Sequence, residues 1–241
     1  MQKKNKIIIV IPAYNEEDNI LNTYNTIVEY NKKNKTNYDV IVVNDGSKDR
    51  TEEILIENKI NHIKLIQNLG IGGAVQTGYK YAYENGYDIA VQYDGDGQHD
   101  VDYVKTITDP IINDEADFVI GSRFIKKDKD NFNTTFSRRI GINLISFFIK
   151  LVTKTKVYDT TSGFRAVNKD IIEFFAHDYP TEYPEPISTT QLLQKKYRLK
   201  EVPVKMKARI GGKSSIGSWK NVYYMINVII SIITVDARGR K

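Results

Sequence analysis

Two aspartates separated by one glycine, Asp94 and Asp96, are the residues of this sequence best suited to chemistry. They directly follow an apolar run at residues 89–93, and the intervening Gly95 has no side chain to keep the two carboxylates apart. Paired carboxylate oxygens suit Mg²⁺ or Mn²⁺, whereas zinc prefers nitrogen and sulfur ligands. A lone Asp-x-Asp is more often a solvated acidic turn, so the neighbouring motifs must decide between the two interpretations.

Two further polar motifs also follow apolar runs and could bind a nucleotide. Asp45 comes after the run at residues 40–43, where its carboxylate could accept hydrogen bonds from a base or a ribose. Residues 68–73 (NLGIGG) precede a helix predicted over residues 74–84, so backbone N–H groups at its start could approach a phosphate. This glycine pattern is neither G-x-G-x-x-G nor a Walker A sequence, which argues against a Rossmann dehydrogenase or a P-loop NTPase.

Short apolar runs that alternate with stretches of helical spacing predict the elements that carry these motifs. The runs are residues 7–11, 40–43, 62–67, 89–93 and 118–121. Their alternation is typical of an α/β fold with a mostly parallel central sheet flanked by helices. Ligands of such sheets bind outside the carboxyl ends of the strands, which is where these motifs fall.

The sequence also predicts helices in the first half and the order of elements in the second half. Asn15 or Asp18 is the predicted cap of a first helix running to Asn31, and residues 47–52 are the predicted start of a second. Beyond residue 125 we expect a lysine-rich loop, an apolar helix, a proline-rich loop around residues 180–186, a strand near residues 199–206 and a terminal apolar helix.

Composition limits the remaining possibilities. The chain has no cysteine, which excludes disulfides and thiolate sites and fits a reducing cytoplasm. The net charge of +5 combines an acidic excess in residues 1–120 with a basic excess in residues 121–241. A basic half could face nucleic acid, an anionic membrane or phosphate groups. No apolar run reaches the roughly 20 residues that a membrane-spanning helix needs, and the first run is too short for a signal-peptide core.

Four motifs, taken in order, closely resemble those of glycosyltransferase family 2, whose members have the GT-A fold. They are residues 12–16 (PAYNE), 43–49 (VNDGSKD), 68–72 (NLGIG) and 94–99 (DGDGQH). The resemblance extends through residues 121–124 (GSRF), 159–165 (DTTSGFR) and 209–214 (RIGGKS) to the dolichol-phosphate mannose synthase-like branch. Residues 179–186 (YPTEYPEP) depart from that branch's pattern and resemble instead a subgroup of bacterial polyprenyl-phosphate sugar transferases. The family resemblance covers nearly the whole chain.

The resemblance implies a role for each matching residue. The nucleotide-binding residues would be Pro12, Ala13, Tyr14, Glu16, Asp45, Asn68, Gly73, Asp94 and Gly95. The ligands of Mg²⁺ or Mn²⁺ would be Asp94, Asp96 and Gln98. The catalytic set would be Asp96, Arg123, Arg139, Arg209 and Lys213. Within it, Arg123 and one of Arg138 or Arg139 would hold the lipid phosphate, while Arg209 and Lys213 would close over the donor diphosphate.

The implied reaction is an inverting transfer from a nucleotide-sugar to polyprenyl (undecaprenyl) phosphate for cell-envelope polysaccharide synthesis. A UDP-sugar such as UDP-GlcNAc or UDP-Glc is favoured by the bacterial subgroup, and a GDP-sugar by the mannose synthase likeness. The expected location is peripheral, at the cytoplasmic face of the cell membrane. The bacterial subgroup also implies a small membrane-embedded protein partner. A homo-oligomer stays open, and nucleic acid is not an expected partner.

The predicted domain division follows from these roles. Residues 1–215 would form the catalytic domain, with a nucleotide-sugar half in residues 1–125 and an acceptor half in residues 126–215. Residues 216–241 would form a terminal helix for membrane or partner contact. Both this helix and the one at residues 140–152 are apolar and edged with cations, which suits an anionic interface, although burial in the core or against a partner would produce the same pattern.

The sequence leaves three other functions to compare with this one. A family 2 transferase that adds a sugar to a hydroxyl of a lipid-linked saccharide would need a carboxylate base, and Glu182 or Glu185 lies where one could come from. A non-catalytic module binding nucleic acid or a membrane surface would use the basic half, but its aromatic residues form no recognisable nucleic-acid motif. A sugar nucleotidyltransferase is disfavoured because its glycine-rich loop would follow the first strand.

Overall fold

The computed structural model of the chain describes residues 5–125, 136–206 and 218–239. Within these residues, the strands of a single sheet are β1 (Ile7–Ala13), β2 (Tyr38–Asn44), β3 (His62–Lys64), β4 (Ile89–Gln92), β5 (Phe118–Ser122), β6 (Arg165–Asn168) and β7 (Leu199–Pro203). The helices are α1 (Ile20–Asn34), α2 (Thr51–Glu57), α3 (Gly70–Glu84), α4 (Asp102–Ile112), α5 (Phe136–Thr153), α6 (Lys169–His177), α7 (Pro184–Gln194) and α8 (Ser218–Gly239).

The strand order β3-β2-β1-β4-β6-β5-β7 makes a mixed, mostly parallel sheet. β1 pairs in parallel with β2 and β4, β2 with β3, and β5 with β7, whereas β6 is antiparallel to both of its neighbours. Because β2 and β4 lie on opposite sides of β1, the loops after β1 and β4 leave the sheet at a point where the strand order reverses. Such a point is where open α/β sheets bind ligands. The predicted α/β class with a mostly parallel sheet is confirmed.

The sheet buries both of its faces. Successive side chains of β1 alternate between two cores: Ile8 and Val10 join one, and Ile7, Ile9 and Ile11 join the other. This alternation is the period of two that a strand imposes. Helices α3, α5, α6, α7 and α8 cover the first core, and α1, α2 and α4 cover the second. A strand covered on both faces reads as a continuous apolar run, which is why β1 could be recognised from sequence.

Two elements in the second half differ from the prediction. β6 was not predicted, because its four residues (RAVN) include only two apolar side chains and show no usable pattern. The proline-rich segment is not all loop, since α7 begins at Pro184 and contains Pro186 in its first turn. Proline is tolerated there because the first backbone N–H groups of a helix have no partner within the helix. β6 and β7 also join the sheet of the first half, through β4 and β5.

Several predicted boundaries were also wrong. α1 begins at Ile20, and its cap position is Asn19, whose side chain makes no capping hydrogen bond. α2 begins at Thr51 and β3 ends at Lys64. α3 begins at Gly70, four residues before the predicted start, so the glycines of the 68–73 motif lie in its first turn. A Cβ on Gly72 would lie 2.4 Å from the carbonyl oxygens of Pro180 and Thr181, which explains this glycine by close packing.

Candidate functional site

The site is built at the carboxyl edge of β1, β2 and β4. The loops after β1 and β2 are tied together there by Asn15, which has a positive φ of 55°. Its backbone N–H donates to Ser47 Oγ at 3.0 Å, and its side-chain oxygen accepts from the Lys48 N–H at 2.8 Å. The backbone N–H of Glu16 donates to Thr51 Oγ1 at 2.9 Å. Asn15 therefore fixes the edge of the site and does not cap α1.

Asp45 organises the nucleotide side of this edge. Its carboxylate accepts the backbone N–H of Leu69 at 2.7 Å and the side-chain amide of Asn68 at 2.9 Å. Asp45 is 3% exposed, and burial raises its pKa while the backbone N–H groups of Leu69 and Gly70 oppose that rise. Asp45 and Asn68, both predicted to bind the nucleotide, are thus hydrogen-bonded to each other, and Asn68 is the exposed one of the two.

The other predicted nucleotide residues differ in their access to a ligand. Tyr14 is 43% exposed and Glu16 partly exposed, whereas Pro12 and Ala13 are buried at the end of β1. Gly73 is buried inside the first turn of α3, where an added Cβ would lie 2.5 Å from Leu69 Cβ. The described geometry gives Gly73 a packing role, and the start of α3 is the place where backbone N–H groups could meet a phosphate.

Asp94 and Asp96 lie just beyond the end of β4. The side chain of Asp94 is 35% exposed, whereas Asp96 is buried and accepts the backbone N–H of Gln98 at 3.1 Å. Gly95 is held underneath them, because its carbonyl accepts the Thr23 hydroxyl and an added Cβ would lie 3.2 Å from Pro12 O. The aspartates are therefore carried by a turn packed against β1 and α1.

The donor set at this turn fits a hard cation that is shared with a substrate. The described residues contain no group of three or more His, Cys, Asp or Glu side chains able to hold a metal ion alone. Two carboxylates and an amide are an incomplete set for Mg²⁺ or Mn²⁺, which commonly bind through one or two carboxylates plus phosphate oxygens and water. The residues present therefore fit a cation that also binds a diphosphate.

Arg123 lies at the end of β5 in a buried ion pair. Its Nε and Nη2 atoms donate to the two carboxylate oxygens of Asp159, both at 2.7 Å, and Nη2 also donates to Thr161 Oγ1. Arg123 is 7% exposed, and its pKa is raised because the Asp159 hydrogen bonds and charge outweigh the opposing effect of burial. The bidentate pair fixes the guanidinium plane.

The second predicted phosphate ligand, Arg139, lies close to Arg123. Both guanidinium groups stack on Phe124, with the Cζ atoms 5.2 Å (Arg123) and 4.0 Å (Arg139) from the ring centroid. Arg139 is partly exposed and precedes Ile140 in the first turns of α5. The side chain of Arg138 lies outside the described side chains, and Arg209 and Lys213 lie outside the described residues. These three residues stay predictions.

The two candidate bases have different environments. Glu182 is exposed, whereas Glu185, in the first turn of α7, is only partly exposed and near Asp94. Burial raises the pKa of Glu185, the charge of Asp94 adds to that rise, and the charge of Arg165 opposes it. Arg165 is buried and donates to the Glu185 carbonyl oxygen at 3.0 Å. Of the two candidate bases, Glu185 is thus the one whose charge interacts with that of Asp94.

Sequence reasoning quoted two residues within motifs without giving them a role. His99 Nε2 lies 3.0 Å from Asp94 Oδ2, and Gly163 faces the same carboxylate. The contact between Gly163 and Asp94 cannot be inferred from the spacing of residues in the sequence, because it depends on the pairing of β6 with β4. The signal available from sequence was the presence of both residues in the motifs that carry the resemblance.

Two adjacent helices, α5 and α8, expose apolar stripes. On α5, Ile140, Leu144, Phe147 and Leu151 are between 39% and 58% exposed and recur at helical spacing. On α8, Ile226, Ile230 and Ile233 are about half exposed, while Val228 and Ile232 are fully buried. The two helices pack against each other. Among the described residues, none of the helices is both long enough and apolar enough to span a bilayer.

Comparison with known proteins adds independent information. The model of the family described as "Glycosyl transferase family 2" matches residues 8–175. The UDP-N-acetylglucosamine--dolichyl-phosphate N-acetylglucosaminyltransferase of Methanococcus voltae is 38% identical over 218 residues, covering 83% of this chain and 84% of that protein. The undecaprenyl-phosphate mannosyltransferase of Micrococcus luteus is 26% identical over 222 residues, covering 88% of this chain and 87% of that protein.

A solved structure shares the architecture. Glucosyl-3-phosphoglycerate synthase from Mycobacterium tuberculosis, in complex with Mn²⁺, UDP-glucose and phosphoglyceric acid, matches with a TM-score of 0.69. The match has 18% sequence identity and covers 97% of this chain and 80% of that one. At this identity the likeness concerns the fold alone.

Proposed function

Because the chain belongs to glycosyltransferase family 2 and has the predicted GT-A fold, we propose that it transfers a sugar from a nucleotide-sugar to the phosphate of a polyprenyl phosphate. The names of the relatives in Methanococcus voltae and Micrococcus luteus support a lipid-phosphate acceptor. The first of these names also supports UDP-GlcNAc as the donor to test first. UDP-Glc and GDP-sugars are the alternatives.

The observation that carries this proposal is the position of Arg139. Its guanidinium stacks on Phe124 next to Arg123, and the residue that follows it, Ile140, begins the exposed apolar stripe of α5. A polyprenyl phosphate needs both features, a cation for its phosphate and an apolar surface for its chain. Guanidinium groups suit phosphate because their planar donors bind oxygens in pairs and stay charged.

The residues at the carboxyl edge of the sheet fall into two groups, one for the donor and one for the acceptor. Asn68, Tyr14 and Glu16 would contact the nucleotide, with Asp45 holding Asn68 in place. Asp94 and Asp96, with Gln98, would hold Mg²⁺ or Mn²⁺, which supplies positive charge for the diphosphate when bound. Arg139, beside the oriented Arg123, would present the acceptor phosphate. Arg209 and Lys213 remain predicted ligands of the donor diphosphate.

The bond changes need no proton acceptor on the protein. An oxygen of the acceptor phosphate forms a bond to the anomeric carbon while the bond from that carbon to the nucleoside diphosphate breaks, which inverts the configuration. The phosphate oxygen is already anionic near neutral pH, so no side chain has to remove a proton. A hydroxyl acceptor would need such a group, and Glu185, whose charge interacts with that of Asp94, is the candidate for it.

The stripes on α5 and α8 support a peripheral position at a membrane surface, and the cytoplasmic face stays a prediction. Arg139, Lys150 and Lys154 accompany the α5 stripe, and cations beside an apolar helix face contribute about 1 kcal/mol each at an anionic surface. A peripheral position would bring the aspartate turn to an acceptor that stays in the bilayer. The predicted membrane-embedded partner, the homo-oligomer and the division at residues 125 and 215 stay predictions.

The acceptor can be identified by comparing polyprenyl phosphate, free polyprenol and a lipid-linked saccharide in detergent with UDP-GlcNAc and Mn²⁺. We expect product only with the phosphate, and Glu185→Gln should change kcat less than about fivefold because no general base is used. General bases contribute about 10²–10⁴-fold. Glu182→Gln serves as the exposed control. Transfer to the saccharide that is lost in Glu185→Gln alone would establish the hydroxyl-acceptor reaction instead.

A further inference from the structure

Asp94 is confined on two sides by residues that are distant from each other in sequence. On one side, His99 Nε2 lies 3.0 Å from Asp94 Oδ2. On the other side, a Cβ added to Gly163 would lie 2.9 Å from Asp94 Oδ1 and 3.0 Å from Oδ2. The carboxylate therefore lies in a narrow slot between an imidazole nitrogen and the Cα of a glycine.

The imidazole ring of His99 is itself held by packing. It is stacked on Phe164, with the ring centroids 4.8 Å apart and the planes 20° apart, and it meets the edge of Tyr93 at 5.3 Å. The Tyr93 hydroxyl donates to the carbonyl oxygen of His99 at 2.6 Å. This hydrogen bond connects the two ends of the segment that contains Asp94 and Asp96. His99 is 4% exposed. This packing fixes the position of the imidazole ring and therefore of its Nε2 atom.

The contact with Asp94 is close but not aligned. Nε2 is within hydrogen-bonding distance of the carboxylate, yet the ring nitrogens make no hydrogen bond of good geometry among the described residues. Nε2 is nevertheless close enough to donate to the carboxylate, and Gly163 leaves the space next to that carboxylate without a Cβ.

We propose that His99 and Gly163 are positioning residues that set the carboxylate of Asp94 for cation and diphosphate binding. His99 holds Oδ2 of Asp94 through an Nε2–H donor, so that the carboxylate meets the cation in one orientation. Gly163 keeps the slot wide enough for that orientation. This inference rests on the proposed function, since it assigns Asp94 the role of a ligand, and it goes further by naming the residues that act through Asp94.

The physical reason for such an arrangement is the cost of ordering a flexible ligand. A carboxylate that turns freely must lose that freedom when it binds a cation, whereas one already held by a neighbour loses less. Hydrogen bonds to a ligating side chain also fix its orientation, and removing the partner typically weakens metal binding by about 10–100-fold. His99 would contribute in this way without touching substrate.

The test is calorimetric titration of Mn²⁺ into the full-length protein with saturating UDP, repeated with GDP, so that the readout is binding and not turnover. His99→Phe keeps a ring between Tyr93 and Phe164 but removes the nitrogen, and we expect about 10–100-fold weaker Mn²⁺ binding. His99→Gln places an amide N–H near the position of Nε2 and should recover part of the loss. Gly163→Ala should weaken binding because its methyl group displaces the Asp94 carboxylate.

The controls separate this role from a structural one. His177→Phe makes the same change at an exposed histidine and should leave Mn²⁺ binding unchanged. Thermal unfolding of each variant reports whether the fold is retained, and His99→Gln and Gly163→Ala still decide the matter if His99→Phe does not fold. Equal Mn²⁺ affinity in the wild type, His99→Phe and Gly163→Ala would overturn the positioning role while leaving the proposed function intact. A wild type that binds no Mn²⁺ with either nucleotide would overturn the metal site and this role together.

Discussion

At the scale of single residues, the site depends on close backbone approaches as much as on charged groups. The side chain of Asp45 can bond Asn68 and Leu69 because the turn after β2 passes directly against residues 67–68. Gly46 makes this approach possible: its φ is +67°, and an added Cβ would lie 2.8 Å from the Gln67 carbonyl carbon and 2.9 Å from Asn68 N. A side chain here would push the nucleotide residue Asn68 away from Asp45.

The close approach at Gly46 predicts that Gly46→Ala is destabilising. We expect a loss of about 2–4 kcal/mol in the free energy of unfolding, since both backbone strain and a clash with backbone atoms are introduced. Nucleotide binding, measured by calorimetry, should weaken at least tenfold. The matched control is Gly86→Ala, which has nearly the same φ of +65° but open space around the new methyl group. Gly86→Ala should lose only about 1 kcal/mol of unfolding free energy, the cost of the backbone strain. Equal losses in the two variants would contradict the explanation by close backbone approach.

The positions of the site carboxylates at the ends of strands were predictable from sequence, whereas their chemical roles stay predictions. The carboxylates of Asp94, Asp96 and Asp45 were recognised because each follows an apolar run, and runs of that kind became β4 and β2. The slot around Asp94 was not recognised, because it needs the distance between residues on two different loops. A linear pattern contains no such distance.

At the scale of elements, the apolar runs located the strands more accurately than the capping signals located the helices. The predicted strand regions correspond to β1 to β5 and β7, with errors at the ends, because buried strands read as continuous apolar runs. β6 was missed because it is short and half polar. α7 was not predicted, because the prolines that indicated a loop occupy the first turn of this helix.

Asp117, which directly precedes β5, links that strand to its two neighbours, β6 and β7. Its carboxylate accepts the Arg198 backbone N–H at 2.7 Å and the Arg198 guanidinium at 2.9 and 3.1 Å, and its carbonyl oxygen accepts the Asn168 N–H. The hydrogen bonds from Arg198 lower the pKa of Asp117, against the opposing effect of burial. A carboxyl group with a lowered pKa in the folded state stabilises the fold when it is ionised.

We therefore predict a pH-dependent effect of Asp117→Asn. At pH 7 the variant should lose about 1 kcal/mol of unfolding free energy, a modest value because half of the Arg198 side chain is exposed and solvent screens the pair. The stabilisation is present above the unfolded pKa of about 3.9 and is lost as the pH falls through the lower folded pKa. Urea unfolding between pH 7 and pH 2 measures this, with the exposed Asp18→Asn as control. A difference that does not change with pH would contradict it.

At the scale of the whole molecule, the candidate metal-binding aspartates and the candidate phosphate-binding arginines lie at different parts of one sheet edge. The aspartates lie beyond β2 and β4, and Arg123 and Arg139 lie beyond β5 and at the start of α5. The charge asymmetry along the sequence predicted this separation in general terms. The strand order was not predictable, because the insertion of β6 between β4 and β5 leaves no trace in local periodicity.

The stripe on α5 leads to a prediction about membrane binding. Phe147→Ser removes an aromatic ring that is 58% exposed, so the fold should keep its stability while binding to vesicles of mixed phosphatidylcholine and phosphatidylglycerol weakens roughly tenfold, about 1.4 kcal/mol. Ile56→Ser is the control, since Ile56 is 59% exposed on α2, on the opposite face of the sheet. Vesicle co-sedimentation measures both. Equal weakening in the two variants, or none, would place the membrane contact elsewhere.

The central claim is that this chain moves a sugar onto a lipid phosphate, and the most direct test is to quantify both products of that reaction. The full-length protein is incubated with undecaprenyl phosphate, Mn²⁺ and each of several UDP- and GDP-sugars, and mass spectrometry measures the lipid product and the free nucleoside diphosphate. We predict equal amounts of both from one donor, a loss of at least 100-fold in Asp96→Asn, and little change in Asp102→Asn, an exposed carboxylate in the first turn of α4. Nucleoside diphosphate released without any lipid product, or lipid product formed equally well by Asp96→Asn, would contradict the account.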